Sequence, residues 1–543
     1  MNHQLASVDW LVIGLYCAGL LVMAAWLSRR QFDREDYYVG GREVGPWPVG
    51  LSIMATQCST NSILGAPAFV AFAAGGGLVW LQYELAVPLA MIVLMLFFMP
   101  AFRHLQLVSV YAYLERRFDL ATRLTLSGLF MFVRAFATAV TVYSVAIVID
   151  LITGLGFVGA VLILGVFTVV YDFLGGIRGV IYSDVIQLLI LVVMLVVVLI
   201  SLISAAGGVE SMWAQLAPER RVTLDFSSHG LGDGQTFAFW PMLFGGLFLY
   251  VSYYGCDQSQ VQRQLSSRSI DGTNNALLIN GLFRFPLVLL YCMVGVGIAV
   301  YASNHPEFID GLPAKGEGRE YNLAVPLYML NALPIGVVGL CMVALFAAAM
   351  SSLDSVLNSL SATTMEDFAR RFSQRGWTDK QELWISRLLT AVWGGITVTM
   401  AFYVGDIAPT VLEAINKIGS LANGPILAVF ALGFLTERVS GPHAITGLLA
   451  GIALNAMCWL FLPGLSWLWW NVFGAALTFC VAVGLSWMMP SGMGQRVVLK
   501  DLLERGVQQV LLTEARVNWY RRSVWLMLWF LTLLLLLVAL SAS

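Results

Sequence analysis

Apolar runs of about 20 residues, the length a helix needs to cross a ~30 Å hydrocarbon core, set the strongest limit on this fold. The first is Trp10–Leu27; another, Pro334 to Met350, is almost wholly apolar (PIGVVGLCMVALFAAAM). In hydrocarbon every backbone N–H and C=O must be satisfied within the protein, which leaves helices or closed barrels. Runs this long select helices. Charged residues are 11% of the chain and hydrophobic ones 59%, against ~25% charged in soluble domains. The expected class is an all-α polytopic membrane protein in a lipid bilayer. The first run leads into charge and not into a small-residue cleavage site, so no cleavable signal peptide is expected.

About fourteen spans are expected, at 8–27, 47–75, 78–102, 121–153, 156–173, 181–204, 236–256, 272–302, 334–367, 384–403, 408–435, 443–463, 465–487 and 522–541. Loops after odd spans carry most of the basic residues, from Arg29, Arg30, Arg34 and Arg42 to Arg516, Arg521 and Arg522; loops after even spans hold Arg220, Arg221, Lys315 and Arg319. Positive loops stay inside, so both termini are expected outside, in a plasma (inner) membrane. The 205–235 and 303–333 loops are long enough to cap the outer face. The 488–521 stretch reads either as a basic amphipathic helix on the inner surface or as a solvated linker. A net charge of −2 gives no pointer to nucleic acid. Seven cysteines form no CxxC pair, and five histidines fall at loops or helix ends, so no thiol or imidazole metal site is expected.

Two spans are interrupted. The second contains Ala55-Thr56-Gln57-Cys58-Ser59-Thr60-Asn61-Ser62, with few good helix formers, and the seventh breaks at Tyr253-Tyr254-Gly255-Cys256-Asp257-Gln258. Unwound backbone at membrane depth is tolerated where it lines a cavity. Interrupted helices at corresponding positions point to an inverted-repeat transporter with a midplane site. Residues 47–204 and 236–435 would be the repeats, 8–27 an extra N-terminal helix and 443–543 C-terminal helices, all in one transporter domain, 1–543.

After the apolar Pro334–Met350 run comes Ser351-Ser352-Leu353-Asp354-Ser355. Insertion scales put an Asp at a helix centre at roughly 2.5–3.5 kcal/mol, so something offsets it. Ser351, Ser352 and Ser355 cluster on one side of a helix with Asp354 at its border, and hydroxyls with free carbonyls make the oxygen shell that hard cations take. The alternative is that small serines permit close helix packing. Asp184 is a second carboxylate, either a ligand or an acid favoured by a helix N-terminus. Glu84, Arg134, Arg284 and Lys417 lie within spans; such groups line cavities or pair, as Glu84 would with Arg284. The polar residues Gln57, Ser59, Asn61, Gln82 and Asp257 complete the candidate solute contacts.

The chain resembles the sodium/solute symporters, the family of the bacterial sodium/galactose and sodium/sialic acid transporters. The resemblance rests on Asp36–Arg42 (DYYVGGR), Gly175-Gly176 through Ser183–Gln187 (SDVIQ), Asp257–Arg263 (DQSQVQR) and Ser351–Ser361 running into Met365-Glu366-Asp367. It implies a five-plus-five inverted-repeat, LeuT-type core. It also implies a secondary active symporter that imports a small polar solute with one or two sodium ions by alternating access. One sodium would take the Ala55, Cys58 and Ala348 carbonyls with the Ser351 and Ser352 hydroxyls. At a second, Asp184 would join Ser351 and Ser355, with Asp354 standing where sialic-acid-type members carry serine. Tyr253 matches the tyrosine that closes the inner side of the solute site. Glu84, Arg284 and Asn416 match sugar contacts of galactose-type members, where Arg284 replaces a lysine and Arg134 an amide. The solute expected is a sugar or a sugar-derived or organic acid. The DQSQVQR stretch is closer to the monocarboxylate, iodide and vitamin branch, which keeps a monocarboxylate or vitamin-like anion open. Asp184 and Asp354 sharing a proton, for proton-coupled transport, and a solute-sensing receptor are the other readings. No enzymatic motif stands out. Monomer and dimer are both open.

Overall fold

The computed structural model describes residues 5–58, 60–315, 318–373, 376–404, 411–489 and 519–542. Ser59, the side chains of Asn61 and Asn416, and most of the 488–521 stretch lie outside the described residues. The rest is helical apart from connections and one small antiparallel pair, Ala314–Lys315 with Gly318–Arg319, in the long 303–333 loop.

In chain order the principal helices are α1 (Ser7–Ser28), α2 (Pro46–Gln57), α3 (Thr60–Phe72) and the irregular α4 (Leu78–His104). There follow α5 (Leu120–Thr153), α6 (Phe157–Ala205), α7 (Gly246–Cys256), α8 (Gln258–Leu265), α9 (Ile270–Asn304) and α10 (Val337–Thr363). The last are α11 (Asp379–Ala401), α12 (Val411–Leu435), α13 (Gly441–Phe461), α14 (Trp467–Met488) and α15 (Trp519–Ala542). Among the described residues, 11 helices are long and apolar enough to cross a membrane. That number and the expected fourteen differ at three interrupted places. The second span is split into α2 and α3, the 236–256 span is a short α7 behind a π-turn at Pro241–Gly245, and α6 covers two expected spans.

The 49 residues of α6 would reach about 74 Å at 1.5 Å per residue, far beyond one crossing. Gly176, at φ 53° and ψ −165°, divides it into two arms. A Cβ there would lie 2.8 Å from the Tyr37 ring and 3.1 Å from Gln31 Nε2, so only glycine fits both the dihedrals and the packing. Gln31 Nε2 donates to the carbonyls of Leu174 and Gly175, at 3.2 and 2.6 Å. The bend is thereby held by the segment that joins α1 to α2.

Large apolar side chains face outward on the peripheral helices, among them Leu11, Leu15 and Val22 of α1 and Leu531 and Leu535 of α15. In water this would be a liability; in a bilayer it is the solvated surface. At the centre stands α10, buried along most of its length. Its Cys341, Ala344, Leu345 and Ala348 pack in one cluster with Met54, Ala55 and Cys58 of the α2–α3 break. The serine cluster is thus brought against unwound backbone.

Candidate functional site

At Cys58 the chain leaves helical geometry (ψ 62°), and α3 resumes at Thr60. A helix end leaves its last carbonyls without intrahelical amides, which provides oxygens at membrane depth. Facing them on α10, Ser351 Oγ and Ser352 Oγ donate to the Ala348 carbonyl at 3.4 and 3.3 Å. These are long bonds that leave both hydroxyl oxygens able to accept a cation. Thr56 Oγ1 lies 3.3 Å from Ser355 Oγ and ties α2 to α10. The expected set of Ala55, Cys58, Ala348, Ser351 and Ser352 is therefore brought together. Its carbonyl and hydroxyl oxygens fit a hard monovalent ion.

The set expected around Asp184 is arranged differently. Asp184 Oδ2 accepts from Ser52 Oγ at 2.5 Å and pairs with Arg263 Nη2 at 3.3 Å. Arg263 also donates to Ser52 Oγ from Nε at 2.8 Å, to the Ser259 carbonyl and to Ser355 Oγ. Asp184 thus reaches Ser355 through a guanidinium, and one of its oxygens is already engaged. Asp354 Oδ1 accepts from Ser355 Oγ at 3.2 Å, while Asp354 Oδ2 and Asp184 Oδ1 have no hydrogen-bond partner among the described residues. Asp354 lies within electrostatic reach of Asp184, Asp172 and Arg263. All four side chains are fully buried. Sequence reasoning placed Arg263 in a family stretch without giving it a role, and passed over Asp172. The available signal was a charge inside buried polar sequence, since an unpaired buried arginine is too costly to retain.

Two cavities adjoin this region. One, of about 80 Å³, is lined by Gln57, Trp80, Glu84, Tyr250, Arg284 and Tyr291. In it Arg284 Nε pairs with Glu84 Oε2 at 3.1 Å, and Tyr250 Oη donates to Glu84 Oε1 at 3.0 Å. Arg284 Nη1 meets Cys58 Sγ. Glu84 and Arg284 thus pair with each other and line the cavity at the same time. The other cavity, of about 180 Å³, is lined by Thr56, Gln57, Arg134, Tyr253, Asp257 and Ser352 among others. Arg134 Nε pairs with Asp257 Oδ2, and the guanidinium carbon lies 4.8 Å from the Tyr253 ring centroid, a cation–π arrangement. Asp257 Oδ1 caps α8 through Ser259 N at 2.8 Å. Arg134 keeps 20% of its side chain exposed. Gln57 lines both cavities and accepts from Tyr254 Oη.

Gln82 lines neither cavity. It is fully buried, donates to the Phe237 carbonyl at 2.7 Å and accepts from Asp225 N at 3.1 Å. It fastens the 205–235 loop to α4, and its expected solute contact is replaced by a structural one. The described residues hold no group of three or more His, Cys, Asp or Glu side chains placed to hold a metal.

The sodium:solute symporter family model matches residues 37–451. The sodium/sialic acid symporter NanT of Aliivibrio fischeri is 29% identical over 454 residues, 83% of this chain and 87% of that protein. The human sodium-coupled monocarboxylate transporter 1 is 31% identical over 450 residues, 81% of this chain and 71% of that one. Among solved structures, a substrate-bound, outward-open sodium-coupled sialic acid symporter superposes with a TM-score of 0.79 at 25% identity, covering 91% of this chain and 100% of that one.

Proposed function

The chain belongs to the sodium:solute symporter family, and on that premise we propose that its solute is a small carboxylate-bearing molecule imported with sodium. It is an integral membrane protein with a LeuT-like fold and a sodium-coupled symporter; members of this family are transporters and not enzymes. The carboxylate reading rests on Arg134. Its Nε is engaged by Asp257, but its terminal nitrogens have no hydrogen-bond partner among the described residues, and the side chain borders the 180 Å³ cavity beside Gln57 and Ser352. An arginine offers a planar fork of donors matched to a carboxylate. Arg284 is ion-paired through its Nε as Arg134 is, but its Nη1 is turned onto Cys58 Sγ and only 6% of its side chain is exposed, against 20% for Arg134. Sialic acids and monocarboxylates, the solutes for which two relatives are named, share a carboxylate.

In this reading the Ala55, Cys58 and Ala348 carbonyls and the Ser351 and Ser352 hydroxyls hold one sodium ion, which joins the α2–α3 break to α10. Gln57, one residue before Cys58, and Ser352 border both ion and solute, so each ligand organises the other's site. Such coupling is reciprocal: sodium tightens solute binding by the factor by which solute tightens sodium. Residues 47–204 and 236–435 act as the two repeats, flanked by 8–27 and 443–543. Both termini face outside, in the plasma membrane. Three buried carboxylates with one guanidinium (Asp172, Asp184 and Asp354 with Arg263) favour at least one further cation.

Thermal unfolding of the purified protein with N-acetylneuraminate, lactate or galactose, in sodium and in potassium, tests the solute class. A ligand that binds only the folded state stabilises by about 2.7 kcal/mol at a hundredfold excess over its Kd. The acids are expected to raise the midpoint in sodium only. Stabilisation by galactose alone would overturn the carboxylate assignment while leaving sodium coupling intact.

A further inference from the structure

The polar residues of α10 do not end at the sodium hydroxyls. Asp354, Ser355, Asn358 and Ser361 follow Ser351 at three, four, seven and ten residues, all buried, spacings that place them on one side of the helix. Against them stand Asp184 and Asp172 of α6 and Gln262 and Arg263 of α8. Gln262 Nε2 donates to Asn358 Oδ1 at 2.7 Å and to the Tyr38 carbonyl at 2.6 Å. Asn358 Nδ2 lies 3.5 Å from Asp172 Oδ1.

The unsatisfied atoms on these side chains are all acceptors: Asp354 Oδ2, Asp184 Oδ1, Asp172 Oδ2 and Gln262 Oε1. Unpaired donors and acceptors together would suggest mutual misplacement. Acceptors alone, deep in the protein, are what a bare cation takes. Asp172 is the extreme case. It is fully buried, makes no ion pair among the described residues, and receives one long side-chain hydrogen bond. A buried carboxylate in that condition is kept only where something positive visits it. It sits four residues before Gly176, at the bend that Tyr37 and Gln31 pack against, and on the side of Arg178, which the basic-loop pattern places inside. Asp172 is therefore the innermost carboxylate of the seam.

We propose that Asp172, Gln262 and Asn358 form an inner sodium station, distinct from the Ser351/Ser352 site. Sodium leaves for the cytoplasm along this face of α10, while the solute leaves through the cavity bordered by Arg134 and Asp257. The inference rests on sodium coupling and is independent of which solute is carried.

Saturation binding of ²²Na⁺ to the purified full chain tests it. Wild type is expected to bind one sodium equivalent more than Asp172→Asn, whose remaining binding keeps the wild-type midpoint. Ser351→Ala/Ser352→Ala is expected to lose a different equivalent and keep the one that Asp172→Asn removes. An Asp172→Asn curve identical to wild type would overturn the station, and so would loss of all sodium binding in a variant that elutes as a folded monodisperse species. Should Asp172→Asn not fold, hydrogen–deuterium exchange of wild type in sodium against choline decides. Sodium-dependent protection at 172–176 and around Asn358, beyond that at Ala55–Cys58, supports the station; protection confined to Ala55–Cys58 and Ser351–Ser352 overturns it.

Discussion

At the helix ends around Glu366 and Asp367, charges are matched one to one. Glu366 and Glu382 are bridged by Arg34 and Arg370, while Glu115 and Asp367 are bridged by Arg123, with Arg371 also on Glu115. Asp367 is also held by Ser109 Oγ at 3.0 Å and Ser127 Oγ at 2.5 Å. Deeper in the protein Asp172, Asp184 and Asp354 share a single Arg263, and each keeps an unpaired oxygen. The matched belt has no reason to take up a cation, because every carboxylate already has one. The seam is short of positive charge, with three carboxylates facing one guanidinium. The two regions thus differ in kind: one is balanced and fixes helix ends, and the other carries an excess of buried negative charge.

Removing a cation from each region should expose that difference. Arg263→Ala leaves three buried carboxylates with no counter-charge, and breaking a buried pair costs about 3–5 kcal/mol. The thermal midpoint is expected to fall more than for any belt variant, with sodium restoring part of it and potassium none. Equal loss in both salts would mean that Arg263 serves packing alone. Arg123→Ala is the matched perturbation in the belt. Asp367 keeps two serine hydroxyls, so the loss should be about 2 kcal/mol, and sodium should not repair it. Sodium rescue of Arg123→Ala would erase the distinction between the regions.

The opposite sign is expected for Asp354→Ser. Deleting one of three crowded acids relieves the seam, and replacing a buried charge is often neutral or stabilising by about 1 kcal/mol or more. Without sodium the variant should be at least as stable as wild type. Sodium at Ser351 and Ser352 should persist, and sodium-driven uptake should continue with altered stoichiometry. Complete loss of sodium binding would show that Asp354 belongs to the first site. Uptake that follows pH and ignores sodium in wild type would favour the shared-proton reading.

How far the sequence carried depended on the range of each interaction. The α2–α3 break was legible in the poor helix formers from Ala55 to Ser62, and the serine cluster in its contrast with the apolar run before it; both are local patterns. The Glu84–Arg284 pair was legible only as one of two options, because sequence does not say whether two charges meet. Arg263 acquired its role from Asp184, 79 residues away, and Gln82 from the Phe237 carbonyl, 155 residues away. Neither partner is visible along the chain. Asp172 was hidden for another reason: it falls near the end of an apolar span, where a boundary carboxylate reads as the edge of the membrane.

The smallest effect is expected at the rim of the belt, where the comparison is sharpest. Arg370 reaches Glu366 at 3.3 Å and Glu382 at 3.1 Å, yet 39% of its side chain is exposed. Exposed pairs contribute about 0–1 kcal/mol, and Arg34 holds both carboxylates in its absence. Arg370→Ala should therefore shift the thermal midpoint barely, by an amount that shrinks further in high salt as the pairs are screened. Its sodium binding should match wild type, since nothing it touches lies on the seam. A large, salt-insensitive loss would mean that the belt acts as one cooperative lock whose members cannot be removed singly. One-to-one matching would then report a gate that must open as a unit for transport, and the belt, like the seam, would belong to the moving parts.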